Sequence, residues 1–306
     1  QRIQDFVAPA TSGKDIDSLA DTSEYKDALA QHPADTQAHI LFLAGPVMEQ
    51  VREELTKGAL EGGPEIDPDV MIEVLGIKSL RAVGIGLRAD TPDATAEWSL
   101  GVLAPEKKGL LSLIAEPVGP FDPGTFVPSD AASVAKFSFR FDRIFDFARE
   151  VIATFPEADR AQPTAALDQA TGLVKPALDT MGPAIHTITT YKQPLAADSQ
   201  ATVIAIDFKD QATMTNTLVF LAGQTGGLLE PREFEGNTIY TIESADMAIG
   251  LGTGRLYIGP PAGVESSLRL AGRADNPKIS AEPGFKEATR PLTNEGCLYS
   301  FADTRQ

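Results

Sequence analysis

Two stretches of the chain have the pattern of a strand, one as a continuous apolar run and one as an alternation of apolar and polar residues, and each follows a similar turn. The turn residues Pro33–Thr36 precede the apolar run Ile40–Leu43, and Pro128–Ala131 precede the alternating run Val134–Phe141. Proline fixes φ, and Asp or Ser side chains bond to the nearby backbone, so both stretches are predicted to be turns that lead into strands. The two turns begin 95 residues apart, at positions 33 and 128.

A helix is predicted after each of these strands. In the first segment Val47, Val51 and Leu55 recur at helical spacing, with Pro46 in the first turn. In the second segment Asp142 can cap a helix whose apolar stripe extends over Ile144–Phe155. The order of strand and helix is therefore the same in both segments.

A hairpin is predicted next in each segment, and each hairpin is predicted to lead into a further helix. The predicted strand pairs are Leu80–Leu87 with Ala96–Val102, and Ile185–Tyr191 with Thr202–Phe208. The predicted helices after them are Lys108–Ala115 and Gln211–Ala222, the latter begun by Asp210. The second segment carries an insertion, predicted to be the helical stretch Thr164–Met181. The second segment also continues into predicted strands at Thr238–Ile242 and Met247–Ile258 and a short predicted helix at Val264–Ala271.

These patterns predict an α+β fold made of tandem repeats of a strand–helix–hairpin–helix unit, with antiparallel sheets and helices packed on one face. A third match, between Leu19–Ala28 and Ile279–Ala288, predicts how the chain is divided. We expect residues 1–32 to be the tail of a preceding unit, 33–127 a first unit, 128–290 a larger second unit and 291–306 the start of another. The Pro- and Gly-rich stretch Glu116–Val127 is predicted to be a linker. We therefore expect this chain to be a processed or excised piece of a longer one.

Charge and composition exclude some classes of partner. The chain has 26 Lys and Arg against 43 Asp and Glu, a net charge of −17, which would repel nucleic acid and anionic membrane surfaces. No apolar run approaches the roughly 18 residues of a membrane span. The single cysteine, Cys297, excludes an internal disulfide.

Motifs that resemble catalytic or cofactor sites have simpler interpretations. The glycines of Gly250–Gly254 lie between two predicted strands, which favours a hairpin turn over a phosphate-binding loop. His32, His39 and His186 lack metal-ligand spacing, and His39 and His186 are predicted to be satisfied or half-exposed residues of strands. The sequence does not exclude a Ser-His-Asp catalytic triad, because the three residues of a triad can be distant in sequence. We therefore predict no catalytic, cofactor-binding or metal-binding residue.

Two further clusters leave alternatives open. The acids of Glu65–Asp69 could bind calcium through loop oxygens but lack EF-hand spacing, and Asp142 with Asp146 could form a carboxylate pair or a solvated helix flank. Aromatic residues cluster at the start of the second unit, where they could form core or line an apolar groove. They are Phe137, Phe139, Phe141, Phe145, Phe147 and Phe155.

Several of these motifs resemble a family of exported bacterial proteins, the DUF3352-like family. They are the Pro-Ala-Asp entry to the first strand, the Phe285–Ala288 helix before Tyr299–Asp303, and the glycine-rich late hairpin. The resemblance implies a periplasmic or surface location and carries over no catalytic residue. With the repetition, it leads us to expect a non-enzymatic scaffold or assembly module that associates with itself or another protein. The alternatives are a periplasmic binding protein for an apolar, lipid-like or peptide ligand and, third, a hydrolase.

Overall fold

The computed structural model describes residues 21–32, 34–60, 67–90, 95–117, 119–124, 126–192, 194, 196, 199–273, 277–290, 292 and 296–303. They form two compact units. Unit 1 contains residues up to Leu111 together with Thr154–Pro156, and unit 2 contains Ser112–Ala153 and the residues from Glu157 onward. Both units combine helices with antiparallel sheets, which confirms the predicted α+β class.

Unit 1 is built around a three-stranded antiparallel sheet of order β1-β2-β3. Its elements are α1 (Ser23–Leu29), β1 (Ala38–Leu43), α2 (Ala44–Leu60), α3 (Pro68–Val74), β2 (Ala82–Asp90) and β3 (Thr95–Leu103). Thr22 caps α1 by accepting a hydrogen bond from the Tyr25 N–H, and α1 packs across all three strands. The predicted helix Lys108–Ala115 is a short 3₁₀ turn over Gly109–Leu113.

Unit 2 is built around an eight-stranded antiparallel sheet of order β11-β4-β5-β6-β10-β9-β8-β7. Its strands are β4 (Ser133–Ser138), β5 (Met181–Tyr191), β6 (Gln200–Phe208), β7 (Glu230–Phe234), β8 (Asn237–Ile242), β9 (Met247–Gly252), β10 (Arg255–Gly259) and β11 (Leu298–Ala302). Its helices are α4 (Ile144–Ile152), α5 (Ala161–Leu178), α6 (Gln211–Gln224), α7 (Pro261–Ala271) and α8 (Pro283–Thr289).

Helices cover both faces of the sheet in unit 2, which corrects the prediction of helices on one face. On one face Ile206 and Leu256 share a core cluster with Met214 of α6. On the other face Ala205 and Tyr257 share a cluster with residues of α7 and α8. Adjacent residues of β6 and β10 are thus buried on opposite sides, as happens when a central strand is covered twice.

The predicted linker Glu116–Val127 belongs to the body of unit 2. Phe121, Phe126 and Val127 are buried in the cluster beneath α7 and α8. Three apolar side chains within this Pro- and Gly-rich stretch are therefore enough to anchor it against the sheet. The two units divide near Leu111 rather than near residue 127.

The segment expected to open a further unit, 291–306, contributes an edge strand to unit 2 instead. β11 pairs antiparallel with β4, with Tyr299 opposite Lys136, and the Ser138 N–H donates to the Cys297 carbonyl. This pairing joins strands more than 160 residues apart, and no local pattern encodes such a contact. In both units the order strand, two helices, hairpin is nevertheless the same: β1-α2-α3-β2-β3 and β4-α4-α5-β5-β6.

Candidate interaction surface

One face of the sheet in unit 1 is apolar and exposed. Because side chains alternate along strands, the register stacks nine residues on this face, in three rows that each cross the three strands. We call this surface the open face. Its first row is Ala38, Leu87 and Trp98, its second row is Ile40, Ile85 and Leu100, and its third row is Phe42, Val83 and Val102. Trp98 is 64% exposed, Leu100 57%, and Ile40 and Phe42 52% each.

The opposite face of the same sheet is covered by His32, which follows α1. Its imidazole lies against three glycines, Gly84, Gly86 and Gly101, which we call the glycine bed. A Cβ at Gly84 would lie 2.8 Å from Cδ2 of Leu41 and closer still to Nε2 of His32. Only residues without a side chain allow the ring to approach the sheet this closely.

His32 also contacts two polar side chains. Its Nδ1 lies 2.7 Å from the Ser99 hydroxyl, and its ring meets that of His39 edge-on with centroids 5.3 Å apart. Burial, then the charge of His39, lowers the pKa of His32. A hydrolase triad also needs an acid that orients the imidazole, but Nε2 of His32 is buried with no hydrogen-bond partner in the described part of the chain. His32 and Ser99 thus form a packed contact on this face of the sheet, and the Ser99 hydroxyl is not an activated nucleophile.

A second group of polar side chains lies on the face of the unit 2 sheet that α7 and α8 cover. Lys136 of β4 pairs with His186 of β5, which pairs with Ala205 of β6, and Ala205 in turn pairs with Tyr257 of β10. We call Lys136, His186 and Tyr257 the polar row; all three side chains are buried. The Lys136 ammonium donates to the Pro120 carbonyl at 3.0 Å, which ties the predicted linker to the sheet.

The Phe126 ring and the ion pair of Arg255 with Asp207 lie beside the polar row. Nε of Arg255 lies 2.6 Å from Oδ1 of Asp207, as an ion pair whose angle falls outside that of a hydrogen bond. The Arg255 guanidinium stacks 4.1 Å from the centre of the Phe126 ring, and that ring meets His186 edge-on at 5.3 Å.

The electrostatics of the polar row follow from its burial. Desolvation lowers the pKa of His186 to about 4, and the charges of Lys136 and Arg255 act in the same direction. Desolvation also lowers the pKa of Lys136 and raises that of Tyr257. A neutral imidazole costs less to bury than an imidazolium, although Nδ1 of His186 has no hydrogen-bond partner among the described residues. The arrangement supports a structural role for the row.

The other sequence candidates also have structural roles. Gly250–Gly254 spans the β9–β10 hairpin, which confirms the predicted turn. Asp142 binds Arg140 and Asp146 binds Arg143, so these two carboxylates form a solvated, ion-paired flank. Of the predicted acid cluster, residues 65 and 66 lie outside the described residues. Asp67 caps α3, and Asp69 pairs with Arg52.

The aromatic cluster at the start of unit 2 is half-buried core rather than a groove lining. The Phe139 ring lies 6.1 Å from Phe137 and 5.0 Å from Phe141, and Phe145 is buried. Across the described ranges no three His, Cys, Asp or Glu side chains come together as a metal site would require. Within the same ranges, no helix combines the length and apolar character of a membrane span.

Sequence reasoning missed the open face, although its signal was present. Trp98, Leu100 and Val102 alternate within the predicted strand Ala96–Val102, which places them on one apolar face, and such a face is normally covered. What sequence could not show is that no helix of the described residues covers it.

Comparisons with known proteins give little guidance. No family model matches the chain, and no curated protein matches it. Among solved structures, one described as crystal form I of TP0453 is similar, with 14% sequence identity and a TM-score of 0.32. The match covers 59% of this chain and 62% of that chain, less than two thirds of its length. A likeness this weak carries no argument about fold or function.

Proposed function

We propose that this chain is a non-enzymatic assembly module that associates with a second copy of itself through the open face. The exposure of Trp98, Leu100, Ile40 and Phe42 on one sheet face is the observation that carries this proposal. Large contiguous apolar patches on soluble proteins generally mark interaction sites.

The open face is about as large as the main apolar patch of a typical monomer, which is often a functional surface. The two aromatic residues expose roughly 250 Å², taking about 200–250 Å² for each complete side chain. Ile40, Leu100 and Val102 add roughly 150–200 Å² when their exposed fractions are applied to about 120 Å² each. The total of about 400 Å² lies within the range of roughly 300–600 Å² for the largest patch on a monomer.

A tandem arrangement of related units is part of the same proposal. The shared order of strand, two helices and hairpin in unit 1 and unit 2 supports the interpretation that both derive from one repeated unit. Repeated units bury apolar faces against neighbours, so a unit with an uncovered face is suited to assembly. The resemblance to exported bacterial proteins and the single cysteine support a periplasmic or surface location as the setting.

Binding of an apolar ligand is the second candidate, and the same surface favours it. The open face would supply apolar contact to a lipid-like or peptide ligand. Small-molecule sites are usually concave, whereas the open face is one side of a three-stranded sheet, so a protein partner fits it better.

The test is a double substitution on the open face, Trp98→Ser with Leu100→Ser. The matched control is Val219→Ser with Phe220→Ser, which removes two exposed apolar residues from α6 in unit 2. Sedimentation velocity from about 1 to about 200 μM should show a dimer for the wild type and the control, and a monomer for the open-face variant. A wild type that stays monomeric throughout this range would refute the proposal.

The only tryptophan of the chain, Trp98, separates the two candidates. Its emission should shift to the blue as protein concentration rises if a second copy covers it. A blue shift on adding palmitate to protein that remains monomeric would instead favour the ligand-binding function.

A further inference from the structure

The corresponding face in unit 2 is covered by helices. Strands β4, β5 and β6 form the same antiparallel order as β1, β2 and β3. On the covered face Ile206 and Phe208 are buried together with Ala177 of α5. That helix belongs to the α4–α5 pair, which lies between the first and second strands of the unit. The pair in the same position of unit 1 is α2–α3.

The junction between strand and helix differs between the two units. In unit 2 five residues, 139–143, which include a 3₁₀ turn at Phe141–Arg143, separate β4 from α4. In unit 1 α2 begins at Ala44, directly after β1 ends at Leu43. With no connecting residues the chain has no turn in which to reverse, and α2 packs against α3 while the open face stays exposed.

We propose that the α2–α3 pair of a second copy covers the open face, so that two chains exchange these helices reciprocally. The proposal rests on the proposed function and specifies its partner. Exchange of an identical element is a low-cost route to a dimer, because each interface reproduces a contact that the fold makes within one chain. Here the contact reproduced is that of α5 with the sheet of unit 2.

The dimensions of α2 suit this role. Its 17 residues extend about 25 Å, close to the length of a six- to nine-residue strand. The sequence places Val47, Val51 and Leu55 at the spacing of one helix face, and exposed charges such as Glu49 and Arg52 lie between them.

Buried area favours helix exchange over direct packing of two open faces. Face-to-face packing would bury about 400 Å² on each copy, about 800 Å² in total, which is below a stable interface. Reciprocal exchange covers two open faces with two helix pairs and buries about 1,600 Å² in total, the size of a standard stable interface.

The first test lengthens the junction. A copy of residues 139–143 inserted between Leu43 and Ala44 should let α2–α3 fold back onto their own sheet. We expect this variant to be monomeric at concentrations where the wild type is dimeric, with the Trp98 emission shifted to the blue even in the monomer. The control carries the same insertion between Glu235 and Gly236, in the β7–β8 turn, and should remain a dimer.

The second test does not depend on the insertion folding correctly. In a Cys297→Ser background, Val51→Cys and Leu100→Cys are made in separate chains and mixed under mild oxidation. A disulfide between the two kinds of chain is expected if a helix of one copy lies on the face of the other.

The outcomes distinguish the two proposals. A dimer that persists with the junction insertion, without cross-linking between positions 51 and 100, overturns helix exchange but leaves assembly through the open face intact. A wild type that is monomeric at all concentrations overturns both.

Discussion

Protonation of His186 should limit the stability of unit 2 at mildly acidic pH. The side chain is only 4% exposed and lies in the polar row between Lys136 and Tyr257. Burial is the largest of the effects that together lower its pKa from 6.5 to about 4; the charges of Lys136 and Arg255 act in the same direction, while those of Asp207 and Asp122 oppose the shift.

The sign of the effect follows from proton linkage. Below pH 6.5 the unfolded chain binds a proton at this histidine that the folded chain does not bind until pH approaches 4. Stability contributed by the neutral ring is therefore complete above the unfolded pKa and is lost as pH falls toward the folded pKa. The loss should reach about 2 kcal/mol at pH 5 and about 3 kcal/mol at pH 4.

The assay compares wild type with His186→Gln, which keeps a polar side chain but cannot be protonated in this range. Urea unfolding followed by circular dichroism gives the free energy of unfolding at several pH values between about 7.5 and about 4.5. The free energy of unfolding of the wild type minus that of the variant should fall by about 2 kcal/mol as pH falls to about 5. The other titrating groups contribute equally to both proteins and cancel in this difference. A His39→Gln control, at an exposed position in unit 1, should retain the loss of stability due to His186. Parallel curves for wild type and His186→Gln would refute the reasoning.

Two further substitutions test the packing of each unit. Gly84→Ala places a methyl group against His32 and Leu41 and should destabilise unit 1 by about 1–3 kcal/mol. Trp98 fluorescence during urea unfolding measures this loss, and Gly45→Ala, with no atom within 4 Å of its new Cβ, should cause none. Asp210→Ala removes the cap of α6, whose carboxylate accepts hydrogen bonds from the N–H and the hydroxyl of Thr213, and should cost about 1 kcal/mol by circular dichroism. An equal loss for Asp168→Ala, at an exposed position inside α5, would show that the cap contributes nothing specific.

Local patterns were sufficient to predict most elements of the fold. The predicted hairpin strands Leu80–Leu87 and Ala96–Val102 correspond to β2 (Ala82–Asp90) and β3 (Thr95–Leu103). The α6 helix begins after Asp210, as its capping chemistry predicts. Alternation, helical spacing and caps depend on neighbours in sequence, so they can be recognised without knowing the tertiary structure.

Contacts between distant segments could not be predicted in this way. The pairing of β11 with β4 and the packing of Phe126 on Arg255 join residues far apart in the chain. Likewise, His186 was recognised as a strand residue, but its depressed pKa depends on the segment around Phe126 that covers it. The open face combines both cases, since its alternation is visible in the sequence, whereas its exposure in the described structure is not.

Strand β7 at one edge of the eight-stranded sheet includes Pro231, opposite Tyr240, flanked by Glu230 and Arg232. Proline cannot donate a ladder hydrogen bond, and flanking charges are costly to bury between sheets. This margin is therefore protected against the runaway edge-to-edge polymerisation that leads to amyloid-like fibres. Association through the open face, as proposed, would therefore not have to compete with strand pairing at the β7 edge.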